Sequence, residues 1–271
     1  MKLSFSTLGC PDWTWDHIVA NAMDMGFDGI EVRGIQSELR SEKLTPFLPD
    51  NARATLDQLK DANLTLCCLG TSCFLHDPAR HEEAMREGIA ALETAKRMRI
   101  PAIRVFGDKL EPQPMRETVA YFAESVKALS KHANGVSVLV EVHGAFNTIE
   151  VFEQLLDAVP DPSFGVLWDV MHSDRVYFDK FEPFYKTISR RVRHVHLKDV
   201  RRLYGGVANC LPGEGDLPLQ RIAEVLASDG YDGFLSFEWE RRWEPALPPP
   251  EEAFPAYMRH IKRILGTLPR V

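Results

Sequence analysis

The sequence predicts one closed (β/α)8 barrel spanning residues 1–271. Two observations lead there. Eight short β-rich runs alternate with longer helical stretches, the pattern of βαβ units and a parallel sheet. The length also suits a barrel of this kind, which typically takes roughly 250 residues. A third observation argues against the rival architecture, an open doubly wound sheet. No G-x-G-x-x-G follows the first run; Gly9-Cys10-Pro11 stands there instead.

The elements follow in order. Residues 3–6 form the first run. A helical stretch over 15–25 leads to the second, 29–33, and a helix over 51–62 leads to the third, 64–69. Across 78–99, Ala84, Ile89, Leu92, Ala95 and Met98 keep helical spacing, and the fourth run, 102–106, follows. A helix near 115–133 precedes the fifth, 136–142. The sixth is 164–169, the seventh 192–197 and the eighth 234–238, with a last helix over 251–265. Val136-Ser137-Val138-Leu139-Val140 is almost continuously apolar, as expected of a strand covered on both faces. Pro245, Pro248, Pro249 and Pro250 mark a loop before the last helix, and no linker composition divides the chain.

Composition bounds the function. The chain is 26% charged and 45% hydrophobic, an ordinary globular balance. Its formal net charge of -7 argues against nucleic acid as a partner, since such binders present a basic face. No apolar run approaches the roughly 18 residues of a membrane span. Residues 1–6 enter directly into an alternating pattern without a signal-like apolar region. Five cysteines, Cys10, Cys67, Cys68, Cys73 and Cys210, form no C-x-x-C pair and read as reduced, mostly buried thiols. Cytoplasm is the expected compartment.

In such barrels chemistry sits at the C-terminal ends of the strands. The fifth run ends Val140-Glu141-Val142-His143, the sixth Leu167-Trp168-Asp169, the seventh Val195-His196-Leu197-Lys198 and the eighth Phe237-Glu238. Glu141, Asp169, His196 and Glu238 therefore ring one mouth. Three anions in a low-dielectric cleft repel one another unless a cation neutralises them. One divalent metal ion does so. Three oxygens and a nitrogen suit Mn²⁺, Mg²⁺ or Co²⁺, and also admit Zn²⁺. Taken singly, each residue is as well explained by an ordinary ion pair; the recurrence on four successive strands is the signal.

At these residues the chain resembles the xylose isomerase-like TIM barrels, the sugar phosphate isomerase/epimerase group. The likeness covers essentially the whole chain. It rests on Gly29-Ile30-Glu31-Val32-Arg33, Glu141-Val142-His143, Trp168-Asp169-Val170-Met171-His172, His194-Val195-His196-Leu197-Lys198-Asp199, Gly213-Glu214-Gly215-Asp216 and the segment 233–238. The resemblance implies metal ligands at Glu141, Asp169, His196 and Glu238. From the ketose 3-epimerase members it implies that Glu141 and Glu238 are also the proton-transferring pair. It implies a substrate contact at His172. The expected activity is isomerisation or epimerisation of a keto-sugar or related polyol. Removing a proton beside a carbonyl gives an enediolate, whose charge a metal can stabilise while carboxylates remove and return the proton.

Other residues have two readings. His143 is a candidate acid or base, or a rim histidine. Glu141 with His143 also resembles the 3-dehydroshikimate dehydratases of the same superfamily. That keeps open a metal-dependent dehydratase of the 3-dehydroshikimate or keto-inositol type, with His143 or Lys198 as acid. Arg104 and Lys198 are candidate substrate-binding cations, or charge partners for Glu141 and Asp199. Glu31 and Arg33 alternate on the second strand and suit either a substrate contact or an interior Glu–Arg pair. His194 lies a layer beneath His196. Trp13, Trp15, Phe74 and Trp239 read as core more readily than as a wall over the mouth. Residues 213–216 read as a turn in which Asp216 caps the next helix. A phosphodiesterase resembling the apurinic-site endonucleases is disfavoured: the third run ends Leu69-Gly70-Thr71 and the fourth Phe106-Gly107, where that group holds further metal ligands. A binding protein that keeps a metal without turnover has the same fold and ligands. The expected partner is a small carbohydrate or polyol, with a homo-oligomer left open.

Overall fold

The computed structural model describes residues 1–110 and 112–268. Eight parallel strands close a ring in which sequence neighbours are spatial neighbours. The first seven are β1 (Lys2–Ser6), β2 (Gly29–Val32), β3 (Thr65–Phe74), β4 (Ala102–Phe106), β5 (Ser137–Glu141), β6 (Phe164–Asp169) and β7 (Val192–Leu197). A hairpin of β8 (Asp199–Leu203) and β9 (Gly206–Cys210) follows, outside the ring. The eighth barrel strand is β10 (Phe234–Phe237). It pairs with β1 and completes the barrel. This is the predicted (β/α)8 TIM barrel.

The helices cover the outside of the ring. They are α1 (Trp15–Met25), α2 (Pro49–Asp61), α3 (His81–Arg97), α4 (Met115–Ser130), α5 (Ile149–Ala158), α6 (Val170–Tyr177), α7 (Glu182–Ile188), α8 (Leu219–Ser228) and α9 (Pro250–Thr267). The first shows how local chemistry sets the bounds. The Thr14 side chain accepts from the His17 N–H, satisfying one orphan donor of the first turn. Gly26, at φ +73°, closes the other end in the left-handed conformation. Between these caps Trp15, Ile18, Val19 and Ala22 are buried, an i, i+3, i+4, i+7 stripe facing the sheet.

Two apolar layers result. The large one lies between sheet and helices, and includes Trp13, Trp15 and Trp239, so these three are core as expected. The small one is Cys68, Ala102, Leu139 and Leu167, from β3, β4, β5 and β6. It lies inside the barrel on the β3–β6 side. Two residues further along β4, β5 and β6 stand Arg104, Glu141 and Asp169, which alternation puts on the same inward face. On that side the interior therefore turns from apolar to ionic toward the C-terminal end of the strands.

The structure departs from expectation in several places, and β3 runs on to Phe74 where the expected third run ends at residue 69. The antiparallel hairpin β8–β9 is an addition to the eight expected strands. Its signal is the two-residue connection Tyr204-Gly205, with Gly205 at φ +82°. Two helices, α6 and α7, occupy the one connection between β6 and β7. Asp216 is not the cap of α8: Pro218 holds that position, and Asp216 Oδ2 accepts from the Arg202 N–H at 2.7 Å, pinning the hairpin. Among the described residues no helix is long and apolar enough to cross a membrane.

Candidate metal centre

Glu141 ends β5, Asp169 ends β6 and His196 lies on β7. Glu238 stands one residue past β10, where its N–H still bonds to the Leu197 carbonyl at 3.1 Å. All four are at least 95% buried, and their ligand atoms lie within 4.8 Å of one another. The four strand-end residues thus meet as expected. His196 is the hub. Its Nδ1 is 3.1 Å from Glu141 Oε1, 3.3 Å from Glu238 Oε1 and 3.7 Å from Asp169 Oδ2.

The opposite edge of the same ring is held by a residue outside the expected ligand set. His196 Nε2 lies 3.0 Å from both carboxylate oxygens of Glu31, reaching across the barrel from β2. His194 Nε2 donates to Glu31 Oε2 at 2.7 Å, so His194 lies a layer below the mouth as expected. Of the two readings of Glu31, the interior Glu–Arg pair does not form among the described residues, because these two imidazoles occupy the Glu31 carboxylate. This arrangement keeps a proton on Nε2 and turns Nδ1 toward the acids, as carboxylates do for metal-bound histidines.

Lys198 is held by carboxylates. Read either as a substrate-binding cation at the mouth or as a charge partner for Glu141 or Asp199, it is enclosed, and its Nζ is taken by Asp169 Oδ2 at 3.0 Å, by Glu240 Oε1 at 2.7 Å and by Glu238. It is absent from the cavity lining. Arg104 does line the cavity, but it is also paired: Nε is 3.2 Å from Glu141 Oε2 and Nη1 donates to the Thr71 carbonyl at 2.9 Å.

Charge decides what the cluster can hold. Glu31, Glu141, Asp169, Glu238 and Glu240 face two permanent cations, Arg104 and Lys198. Burial pushes the Glu141 carboxyl up, but Arg104 and His196 outweigh it and hold it down at about 2. Burial likewise opposes ionisation of Asp169, and Lys198 and His196 outweigh it. Burial would neutralise His196, yet Glu238 and Glu31 drive it well above the usual imidazole range. The cluster thus demands positive charge at Nδ1. Asp169 Oδ2 makes no well-formed hydrogen bond among the described residues despite its burial. Two glutamates, the Asp169 oxygen that is ion-paired with Lys198, and an imidazole nitrogen fit a divalent cation. Glu141, Asp169, His196 and Glu238 would hold it.

Above the cluster opens a cavity of about 380 Å³. His143 and His172 line it with ring centroids 4.3 Å apart. His143 is partly exposed and within 3.3 Å of the Gly107 carbonyl. Burial lowers His172 to about 4, against the pull of Asp169, so its ring is neutral. Its Nδ1 accepts from the Gly144 N–H at 3.3 Å, which leaves the proton on Nε2. Phe74 lines the cavity too, as do Glu240 and Trp243, two residues outside the expected site. The signal for Glu240 is its place two residues past Glu238.

Fold and site define a parallel β/α barrel with a buried carboxylate–imidazole centre at the C-terminal ends of its strands. The chain belongs to the xylose isomerase-like TIM barrel family, whose model matches residues 19–264. An inosose dehydratase of Clostridium perfringens is 29% identical over 163 residues, 54% of this chain and 54% of that protein. The chain thus matches about half the length of such curated relatives. Among solved structures, the IolI protein with a bound zinc atom superposes with TM-score 0.81 at 18% identity, over 100% of both chains. D-psicose 3-epimerase with D-tagatose, from Clostridium cellulolyticum H10, superposes with TM-score 0.73 at 18% identity, over 98% of this chain and 97% of that one. At these identities the structural likeness is one of fold.

Proposed function

We propose that this barrel is a divalent-metal-dependent enzyme that moves a proton at the carbon beside the carbonyl of a polyhydroxylated, sugar-like ketone. The observation that carries it is the buried convergence of Glu141, Asp169, His196 and Glu238 beneath the cavity. A divalent ion there would supply Lewis-acid polarisation of the carbonyl. Glu141 and Glu238 come from non-adjacent strands and both line the cavity. They remove and return the proton, which gives isomerisation or epimerisation. His172, neutral and held through Nδ1, is a hydrogen-bonding partner for substrate hydroxyls. Lys198 and Arg104 act through the carboxylates they hold.

Dehydration is the second reading. His143, partly exposed on the cavity wall, would protonate a departing hydroxyl, and the inosose dehydratase relative supports this reading. The test is solvent-deuterium exchange into a panel of ketoses and keto-inositols, with Mn²⁺ added, followed by NMR and ultraviolet absorbance. Exchange with a new diastereomer or aldose supports the first reading. A conjugated chromophore that is lost in His143→Gln supports the second. Failure of the protein to bind Mn²⁺, Mg²⁺, Co²⁺ or Zn²⁺ would rule out both.

A further inference from the structure

Arg33, just past β2, is 5% exposed and lines the same cavity. Its Nη2 donates to Ser72 Oγ at 2.7 Å. Its Nη1 has no hydrogen-bond partner among the described residues. The carboxylate that most favours its charge is Glu87, and that group is taken up elsewhere: Oε2 accepts from Arg40 Nη1 at 2.8 Å and Oε1 from the Ser72 N–H at 2.6 Å. Two further arginines, Arg104 and Arg242, oppose its charge. Burial, and then Arg104, pull its guanidinium down to about 10, so it stays cationic at neutral pH in surroundings that disfavour the charge. A buried cation without an anion is costly and rare in a folded chain.

Arg33 is on the β2–β3 side of the cavity, with its side chain laid against Gly70, where a Cβ would approach Arg33 Cδ to 2.6 Å. The carboxylate centre is on the β5, β6, β7 and β10 side. The cavity is therefore polarised, acidic at one end and cationic at the other. The lining includes one other arginine, Arg104, and it is committed to Glu141. Among the described residues Arg33 is thus a guanidinium without a carboxylate partner; it matches one negative charge, and its planar fork matches a carboxylate. A dianionic phosphate would leave a charge uncompensated.

Resting on the proton-transfer reading above, we infer that the substrate is a polyhydroxy carbonyl compound that also bears a carboxylate, bound by Arg33 with Ser72 beside it, while its carbonyl end faces the carboxylate centre. Arg33 is then a specificity determinant that selects sugar acids over neutral sugars.

Calorimetry on the Mn²⁺-loaded protein tests this with three probes: D-gluconate, D-glucitol and D-glucitol 6-phosphate. Wild type should bind gluconate at least about 10-fold tighter than glucitol, the scale of one charge-assisted hydrogen bond. Arg33→Met should abolish that preference and leave Mn²⁺ affinity unchanged. A preference that persists in Arg33→Met reflects chelation by the metal alone and overturns the inference. So does equal affinity for the two probes in wild type, absence of binding included, or a larger preference for the phosphate. Thermal melting supplies a second readout. Removing a cation kept for a ligand should not lower the melting temperature, whereas a marked fall would assign Arg33 a structural role instead. Absence of Mn²⁺ binding in wild type would instead defeat the proton-transfer reading.

Discussion

Both carboxylate oxygens of Glu31 lie 3.0 Å from Nε2 of His196, from the far side of the barrel and 165 residues away in sequence. The opposite nitrogen of that ring faces Glu141, Glu238 and Asp169. The ring's orientation is therefore fixed from beneath, before any cation arrives.

Glu31→Gln should weaken metal binding without unfolding the barrel. An amide can donate to or accept from Nε2, so the tautomer is no longer enforced. Loss of such an outer partner typically costs about 10- to 100-fold in affinity. Mn²⁺ titration by calorimetry checks this; an unchanged dissociation constant would count against the orienting role.

Lys198→Met should destabilise the metal-free protein by about 3–5 kcal/mol, the scale for breaking a buried ion pair. Asp169, Glu238 and Glu240 lose their shared cation and are left repelling one another. Because a ligand stabilises the state it binds, added Mn²⁺ should raise the variant's denaturation midpoint more than it raises that of wild type. Equal shifts would indicate that Lys198 does not offset the acidic charge.

Asp169 does two jobs, and substitution separates them. Oδ1 accepts from the Met171 and His172 N–H groups at 2.9 and 3.1 Å, capping α6. Oδ2 belongs to the centre. Asparagine preserves the cap and removes the charge. Both Asp169→Asn and Asp169→Ala should lose bound metal, but the alanine variant should be less stable by about 0.5–2 kcal/mol, the worth of a cap. Urea denaturation of the two metal-free variants compares them directly.

The thiols should be nearly inert in the folded protein. Burial pushes Cys73 up to about 12 and Cys210 to about 11, and raises Cys10, Cys67 and Cys68 further. Raised values keep each group as the unreactive thiol through neutral pH. Iodoacetamide at pH 8 should label Cys210, which is only partly buried, ahead of the other four. Mass spectrometry after timed quenching reads the order, and rapid labelling of Cys68 would contradict the barrel-interior assignment.

The barrel, and four of the residues that meet at its mouth, were legible along the chain. Strand and helix periods are local, and a side chain that ends an inward-facing strand can be found by counting in twos. Hence Glu141, Asp169, His196 and Glu238 could be picked out one strand at a time. Partnership across the barrel has no local signature. Glu31 was visible on the second strand, but only closure of the ring brings it to His194 and His196 rather than to an arginine. That same closure enclosed Lys198 among three carboxylates, although its spacing from His196 suggested the mouth. Among the described residues Arg33 is left without an anion for the same reason, since the carboxylate that most favours its charge, Glu87, is drawn off by Arg40 from another part of the chain. Which charges pair, and which one is left over for a ligand, is settled by distances between strands that the sequence does not carry.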